Sequence, residues 1–394
     1  MGDPIVIVGS ARTPMGGFQG ELKDLTAAQL GASAIRAAVE RAGLPADAVD
    51  EAIMGCVLPA GQGQAPARQA ALGAGLPQAV GCTTVNKMCG SGMKAAMLAH
   101  DALLAGSARI VVAGGMESMT NAPYLLDRAR GGYRMGHGRV LDHMFLDGLE
   151  DAYDKGRLMG TFAEDTAQAY QFTREAQDAF ALRSLDRAKR AGEDGSFAGE
   201  IVPVTVKGRS GAATISLDEQ PRNARPEKIA TLKPAFRDGG TVTAANASSI
   251  SDGAAALVLM RRSEADARGL PVRAILHGHA THAQAPALFT TAPVFAITKL
   301  LERLAWRAAE VDLFEVNEAF AVVTMVAMQD LDLPADKVNI HGGACALGHP
   351  IGASGARILV TLLAALERYD VKRGVASLCI GGGEATAVAI ERVT

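Results

Sequence analysis

Four turns of the chain place cysteine, histidine or asparagine beside small residues, and each could contribute to a catalytic site. The first contains Cys89, because residues 85–92 read VNKMCGSG and a helical period begins at Ser91. The free N–H groups and the dipole of a helix start favour negative charge, and therefore the thiolate form of cysteine. Cys89 is a candidate nucleophile, and the alternative is a small apolar core residue.

The second and third turns contain His349 and Asn317. Residues 348–355 read GHPIGASG, so glycine and proline hold His349 ahead of another helix. An imidazole there could activate a thiol that folding brings near it, although a turn histidine without a catalytic task is the alternative. Asn317 lies in FEVNEAF (314–320) and could hold a water molecule or a carbonyl oxygen, but helix capping also explains an asparagine.

The fourth turn follows Cys379, which ends an apolar strand. Gly381, Gly382 and Gly383 come directly after this strand and could leave backbone N–H groups free to stabilise an oxyanion. A free cysteine in an apolar strand is usually a small core residue, so both interpretations stay open here.

Composition excludes several classes of partner. The 394 residues carry a formal net charge of −3, which gives no basic footprint for nucleic acid. No apolar run reaches the roughly 20 residues that cross a bilayer, and the first residues lack the pattern of a signal peptide. The five cysteines follow neither a disulfide framework nor a metal-site spacing. We therefore expect a cytoplasmic protein without a metal or a permanently bound cofactor.

Short apolar runs alternate with segments of helical period through most of the chain. The pattern predicts strands that include 5–8, 109–113, 257–260 and 375–380, and helices that include 26–41, 91–104, 294–305 and 354–368. This alternation predicts an α/β fold with largely parallel sheets. Residues 121–246 carry more charge and more turn residues, as is typical of a long insertion.

The two ends of the chain resemble each other. Each has a Val-Asn pair, at 85–86 and 338–339, followed by a glycine turn, a helix and a strand that ends in glycines. Such a repeat predicts two similar halves with a site between them, although all βαβ units share these periodicities. We predict three parts, which are residues 1–120 with about 247–270, the insertion 121–246, and residues 271–394.

Together these motifs resemble those of the thiolase family, the acyl-CoA:acetyl-CoA C-acyltransferases. The resemblance covers essentially the whole chain, because VNKMCGSG, NEAF (317–320), GHPIG (348–352) and CIGGG (379–383) look like the family's four active-site motifs in order. It implies duplicated α/β domains in a five-layered αβαβα core with an inserted loop domain. It also implies coenzyme A and acyl-CoA as substrates, and a role in fatty acid metabolism.

The resemblance further implies a ping-pong reaction. Cys89 would attack a thioester carbonyl while His349 accepts its proton, and Cys379 would then take an α-proton from acetyl-CoA so that the carbanion attacks the acyl group. Thiolysis is the reverse. His349 and a water held by Asn317 would form one oxyanion hole, and the backbone N–H groups of Cys89 and Gly381 the other. Such chemistry needs a base and preorganised donors at one point.

Recognition of coenzyme A is implied as well. Ser248 matches a serine of the family's CoA-contacting turn, and Arg222 matches an arginine near the nucleotide. Further expected contacts to CoA or the acyl group are Leu158, Met159, Phe289 and Phe320. The inserted domain would cover the CoA, and residues 124–143 resemble the loop used for tetramer assembly, so we expect a homotetramer built as a dimer of dimers.

The chain departs from many short-chain members where acyl specificity is set. Leu158 stands where those members carry His, and Phe289 replaces the Met of a Met-Gly turn. Loss of a polar group and added bulk predict a different or longer acyl group than acetoacetyl. The alternatives are a 3-ketoacyl synthase acting on carrier-protein thioesters, which would lack Cys379, and a non-catalytic CoA-binding protein of the same fold.

Overall fold

The computed structural model describes residues 2–208 and 211–393, and strands and helices alternate along them. The strands are β1 (Ile5–Arg12), β2 (Gly16–Gly17), β3 (Glu51–Gly55), β4 (Gly81–Val85), β5 (Ile110–Ser118), β6 (Tyr124–Leu125), β7 (Leu141–Asp142), β8 (Val204–Gly208), β9 (Gly211–Ile215), β10 (Ser251–Arg261), β11 (Ala274–Ala283), β12 (Leu313–Val316), β13 (Arg373–Ile380) and β14 (Glu384–Arg392). The helices are α1 (Ala27–Arg41), α2 (Pro66–Gly73), α3 (Ser91–Ala105), α4 (Met159–Ala169), α5 (Arg174–Glu193), α6 (Glu219–Asn223), α7 (Arg262–Ala267), α8 (Ala292–Leu304), α9 (Ala321–Asp330), α10 (Ala344–Leu347) and α11 (Ser354–Arg368).

One hydrogen-bonded sheet contains most of the strands. Its order is β12-β13-β14-β11-β1-β10-β5-β3-β4, and β2 pairs with β10. The pairs β12·β13, β3·β4 and β3·β5 are parallel, whereas the pairs through β1, β10, β11 and β14 are antiparallel. The expectation of largely parallel sheets was therefore wrong. Part of the reason is that β14 returns from β13 through a tight turn, and such a hairpin forces antiparallel pairing.

The strand order repeats outward from the centre of the sheet. From β1 it runs through β10, β5, β3 and β4, and from β11 it runs through β14, β13 and β12. Val338 then forms a parallel bridge with Phe314, at the position that β4 occupies in the first half. The internal repeat seen in the sequence is thus present in the topology, while the three domain boundaries that we drew remain a prediction.

Helices fill the space between the two halves of the sheet and cover both outer faces. Helices α3 and α11 pack together in the middle, α1 and α2 cover the first half, and α8 and α9 cover the second. Three separate apolar clusters match these three helical layers. This arrangement is the five-layered αβαβα core, so that prediction is confirmed.

The middle layer is more closely packed than the sequence indicated. The apolar period of α11 predicts one buried face, yet even Arg357 and Thr361 of this helix are buried, because the two halves of the sheet lie on either side of it. Gly92 and Gly355 let α3 and α11 approach each other. A Cβ atom on Gly92 would lie 2.8 Å from the backbone N of Ala356, and one on Gly355 would lie 2.4 Å from that of Met93. The turns that precede these two helices are thereby held side by side.

Among the described residues, no helix combines the length and the apolar composition of a membrane span.

Candidate active site

A cavity of about 340 Å³ collects most of the predicted site residues. It lies where the turns before α3 and α11 meet the turn after β13 and the inserted segment. Its lining contains Cys89, His349, Cys379, Gly381, Ser248, Leu158, Met159, Phe289 and Phe320. Within the described residues, no Asp, Glu, Lys or Arg lines this cavity, so its ionisable groups are two thiols and one imidazole.

The backbone of the Cys89 turn is held in a tight conformation. Met88 has a φ of 46°, in the left-handed region, which costs a residue with a side chain on the order of 1 kcal/mol. The hydroxyl of Ser91 accepts from the backbone N of Lys87 at 2.8 Å and donates to the carbonyl of Met88 at 2.6 Å. These bonds fix the chain on both sides of the strained residue and so orient the thiol at the start of α3.

The charge state of Cys89 differs from the sequence-based expectation. Burial raises the pKa of the Cys89 thiol to about 11, although the backbone N–H groups of Gly381 and Cys89 act in the opposite direction. The expected preference for the thiolate was therefore wrong, because withdrawal from water outweighs the helix start. For this sulfur to act as a nucleophile, a base would have to take its proton.

His349 is arranged to act as that base. Its Nδ1 lies 2.6 Å from Oγ of Ser354, whose hydroxyl donates to the carbonyl of Pro350 at 3.0 Å. Because Ser354 has one hydrogen to give, Nδ1 of His349 must be the donor, which leaves a lone pair on Nε2. Nε2 is buried and has no hydrogen-bond partner. Burial lowers the pKa of His349 to about 3, so the imidazole is neutral at pH 7.

Cys379 and Gly381 come from the second half of the fold. Cys379 is buried at the end of β13, and burial together with the nearby Cys89 raises its pKa well above the usual value. Gly382 and Gly383 have φ values of 92° and 88°, and a Cβ on Gly383 would lie 2.3 Å from the carbonyl oxygen of Gln284. The glycine turn is thus required by the backbone, and it directs the N–H of Gly381 toward the Cys89 sulfur.

Asn317 lies beneath the cavity rather than in its lining. It is 1% exposed, and neither its side-chain oxygen nor its nitrogen has a hydrogen-bond partner. Ala319, two residues along the chain, lines the cavity. A buried amide with both ends unsatisfied is costly, which is consistent with a water or ligand partner at this position.

Aromatic and aliphatic side chains form an apolar wall of the cavity. Phe289 is buried and packs edge to face against Phe162, with ring centroids 6.1 Å apart. Phe320 packs in the same manner against Phe236, at 6.0 Å. Met159 belongs to the same apolar cluster. This part of the site can bind an apolar chain but offers no charge to a substrate.

Arg222 is not brought to this cavity. Its guanidinium pairs with Glu21 at 2.6 Å and donates to the backbone oxygen of Asp218 at 3.1 Å. It lines a separate cleft that also contains Lys189 and Phe197. Its expected contact with the nucleotide is therefore not visible in the arrangement of the cavity and remains a prediction.

Two residues that support the site were not singled out from the sequence. Ser354 orients His349. The GASG motif, which contains Ser354 and follows His349 in the sequence, could have identified it. Glu117, at the end of β5, is fully buried and accepts from the backbone N atoms of Val57 and Gly352, both at 2.9 Å, and of Leu58 at 3.2 Å. Glu117 thus ties the His349 turn to the first half of the fold. The position of Glu117 in an otherwise apolar strand was the sequence feature that could have identified it.

Comparison with known proteins places this geometry in a family. Residues 5–263 match the model of the thiolase N-terminal domain, and residues 270–392 match that of the thiolase C-terminal domain. The chain is 49% identical over 390 residues to an acetyl-CoA acetyltransferase of Pseudomonas aeruginosa, which covers 98% of this chain and 99% of that protein. It is 51% identical over 390 residues to an acetyl-CoA acetyltransferase of Escherichia coli K12, with the same two coverages.

Solved structures agree with the sequence relatives. The Bacillus anthracis acetyl-CoA acetyltransferase superimposes with a TM-score of 0.97 at 42% identity, covering 99% of both chains. The Acat5 thiolase from Ascaris suum, solved in complex with coenzyme A, superimposes with a TM-score of 0.93 at 40% identity, covering 99% of this chain and 100% of that one. Both domains match over nearly the full length, and the chain belongs to the thiolase family.

Proposed function

We propose that this chain is an acetyl-CoA C-acyltransferase that works by a ping-pong mechanism through an acyl group on Cys89. The observation that carries the proposal is the convergence of Cys89, Cys379, an unpartnered Nε2 of His349 and the N–H of Gly381 on one apolar cavity. The names of the relatives support acetyl-CoA as a substrate, and the Ascaris complex supports coenzyme A as the carrier.

In the first half-reaction Cys89 loses its proton to Nε2 of His349 as its sulfur attacks the thioester carbonyl. The carbon–sulfur bond to coenzyme A breaks, and the departing thiolate takes the proton of Cys379. The products are free coenzyme A, an acylated Cys89, an imidazolium and a Cys379 thiolate. The N–H groups of Gly381 and Cys89 stabilise the oxyanion of this step, because such donors are placed where the charge develops.

In the second half-reaction the Cys379 thiolate removes an α-proton from acetyl-CoA. Burial that raises the pKa of Cys379 makes its thiolate a strong base once formed. The enolate attacks the acyl carbon, its oxygen stabilised by the imidazolium and a water held by Asn317. Cys89 then leaves as a thiolate and regains its proton from His349. The reverse sequence is thiolysis of a 3-oxoacyl-CoA.

We propose Ser248, Met159 and Phe320 as contacts to coenzyme A, with Arg222 toward its nucleotide end. Leu158 and Phe289 set the acyl chain, and we propose that the enzyme accepts a different or longer acyl group than acetoacetyl. The apolar lining and the absence of a polar side chain at 158 support this assignment.

Assembly and location are further proposals. We propose a homotetramer, because the segment 124–143 exposes Tyr124, Met135 and Val140, which are 69%, 96% and 60% exposed in the single chain. Large exposed apolar side chains grouped in one segment are typical of protein interfaces. A cytoplasmic location is supported by five cysteines that are all free thiols. Light scattering on the purified protein tests the tetramer.

An acyl-chain-length profile tests the function. The protein is mixed with coenzyme A and 3-oxoacyl-CoA substrates of increasing length, and loss of thioester is followed for wild type and for Cys89→Ala. We expect turnover by wild type only, with chains beyond four carbons used well. Coenzyme A binding without turnover at any length would favour the non-catalytic protein. Turnover restricted to carrier-protein thioesters would favour the synthase.

A further inference from the structure

Three potential metal ligands meet at the opposite end of α3 from Cys89. His100 and Asp101 lie near the C-terminal end of α3, and His279 lies on β11 in the other half of the fold. Ser91 and His100 are nine residues apart, which is about 14 Å along a helix at 1.5 Å per residue. The group is therefore separate from the cavity that holds the reactive thiols.

The geometry of the three side chains is compact. Oδ1 of Asp101 lies 3.2 Å from Nδ1 of His100 and 2.8 Å from Nε2 of His279. The ligand atoms of all three residues lie within 4.8 Å of one another. The two imidazole rings pack edge to face, with centroids 5.3 Å apart and an angle of 86° between planes. Both rings thus present a nitrogen to the same carboxylate oxygen.

The three side chains differ in how far they are exposed to solvent. His100 and His279 have side chains that are 10% and 17% exposed, so their neighbours hold them in place, while that of Asp101 is 53% exposed. Two fixed imidazoles and one accessible carboxylate leave room for water ligands and a path for an ion. Arg303 donates to the backbone oxygen of His279 at 3.1 Å, and its positive charge works against a bound cation.

We propose that His100, Asp101 and His279 form a binding site for a divalent transition-metal ion such as Zn²⁺. Two imidazoles and a carboxylate are ligands that Zn²⁺ accepts, with bonds of about 2.0–2.2 Å. Ligand atoms on a tetrahedral ion at those bond lengths are about 3.3 Å apart. The two contacts to Asp101, at 3.2 Å and 2.8 Å, are already close to that spacing.

This site goes beyond the proposed acyl transfer and has a separate structural effect. One ligand pair belongs to the helix that starts at the Cys89 turn, and the third ligand belongs to a strand of the second half. A bound ion would join the two halves of the fold at a point far from the substrate. No local spacing in the sequence marks this site, because 178 residues separate Asp101 from His279.

Titration of the full-length protein with Co²⁺, followed by displacement with Zn²⁺, tests the site. Co²⁺ serves as the probe because its visible spectrum reports its ligands. We expect one Co²⁺ per chain, displaced by Zn²⁺, with binding weakened about tenfold or more in His279→Gln and Asp101→Asn. His282→Gln is the matched control, since His282 lies on the same strand but stacks on Phe295 of α8, and its binding should equal that of wild type.

Two results would overturn the proposal. The first is the absence of stoichiometric Co²⁺ binding to wild type. The second is equal binding by wild type, His279→Gln and Asp101→Asn. A sulfur-to-cobalt charge-transfer band that persists in both variants would show that the thiols of the cavity, and not the histidines, hold the ion. Circular dichroism on each variant checks that the chain is folded. A loss of Co²⁺ binding in a folded variant is then attributable to the missing metal-ligating side chain.

Discussion

Ser354 fixes the tautomer of His349, with its Oγ 2.6 Å from Nδ1 of the ring and its own hydrogen donated to the carbonyl of Pro350. Ser354→Ala removes the acceptor that keeps the proton on Nδ1. We expect kcat to fall about tenfold to a hundredfold with little change in KM, because proton transfer is affected and substrate contacts are not. Ser354→Thr keeps the hydroxyl and should restore most activity.

The matched control is Ser263→Ala, since that hydroxyl bonds Asp3 at the surface. An equal loss of kcat in Ser354→Ala and Ser354→Thr would mean that packing at this position matters and the hydroxyl does not.

The covalent intermediate distinguishes the roles of Cys89 and Cys379. After mixing with acetyl-CoA, Cys379→Ala should still acquire one acetyl group, because Cys89 and His349 remain, whereas Cys89→Ala should acquire none. Both variants should lose steady-state turnover by ~10³-fold or more. Intact-protein mass spectrometry measures the adduct. An acetyl adduct of the same size in Cys89→Ala would assign the nucleophile to another residue.

Phe289 is one of the two residues that we propose to set the length of the acyl chain. Phe289→Met replaces the rigid ring packed on Phe162 by the residue that many short-chain members carry, and so removes apolar ring surface that a longer acyl chain would contact. We expect the ratio of kcat/KM for a six-carbon over a four-carbon 3-oxoacyl-CoA to fall about tenfold, in the range that a methylene or two can supply. Phe295→Met, at a half-exposed position on α8, is the control. An unchanged ratio would remove Phe289 from the specificity determinants.

Glu117 makes stability depend on pH. Burial raises its pKa to about 7, although the N–H groups of Val57, Leu58 and Gly352 oppose this. The pKa of Glu117 in the folded protein lies above the ordinary value of 4.5, so the fold favours the protonated carboxyl. The contribution of this proton to the free energy of unfolding is fully present below pH 4.5 and is lost as the pH rises through about 7. The difference in unfolding free energy between wild type and Glu117→Gln should therefore shrink over this range, by on the order of 3 kcal/mol.

Denaturant unfolding at several pH values measures this difference, with the exposed Glu40→Gln as control. A difference that grows from pH 4.5 to 7 would reverse the assignment and indicate that the charged carboxylate is the favoured form in the fold.

Local motifs predicted the residues that line the cavity better than the residues that hold the lining in place. Cys89, His349 and Cys379 each stand in a turn whose residues mark them, and the structure brings all three to one cavity. Glu117 could not be assigned, because its partners at Val57 and Gly352 lie 60 and 235 residues away in the chain. The protonation of Cys89 was also missed, since burial depends on the whole fold and the helix start is a local feature.

The same limit applies to the sheet. Apolar period and strand length predicted which segments are strands, but they carry no information on direction, and most neighbours in the centre of the sheet are antiparallel. The second buried face of α11 was missed for a related reason, because the half of the sheet that covers this face is formed by distant segments.

Ser91 and Ser354 occupy equivalent places at the starts of the two central helices, yet they do different work. One secures the backbone beneath a thiol, and the other secures an imidazole ring. The two copies of the repeat thus make different contributions to a single site, and one cannot replace the other. A damaging substitution in one turn cannot be compensated by the equivalent turn of the other half, so the repeat confers no redundancy on the enzyme.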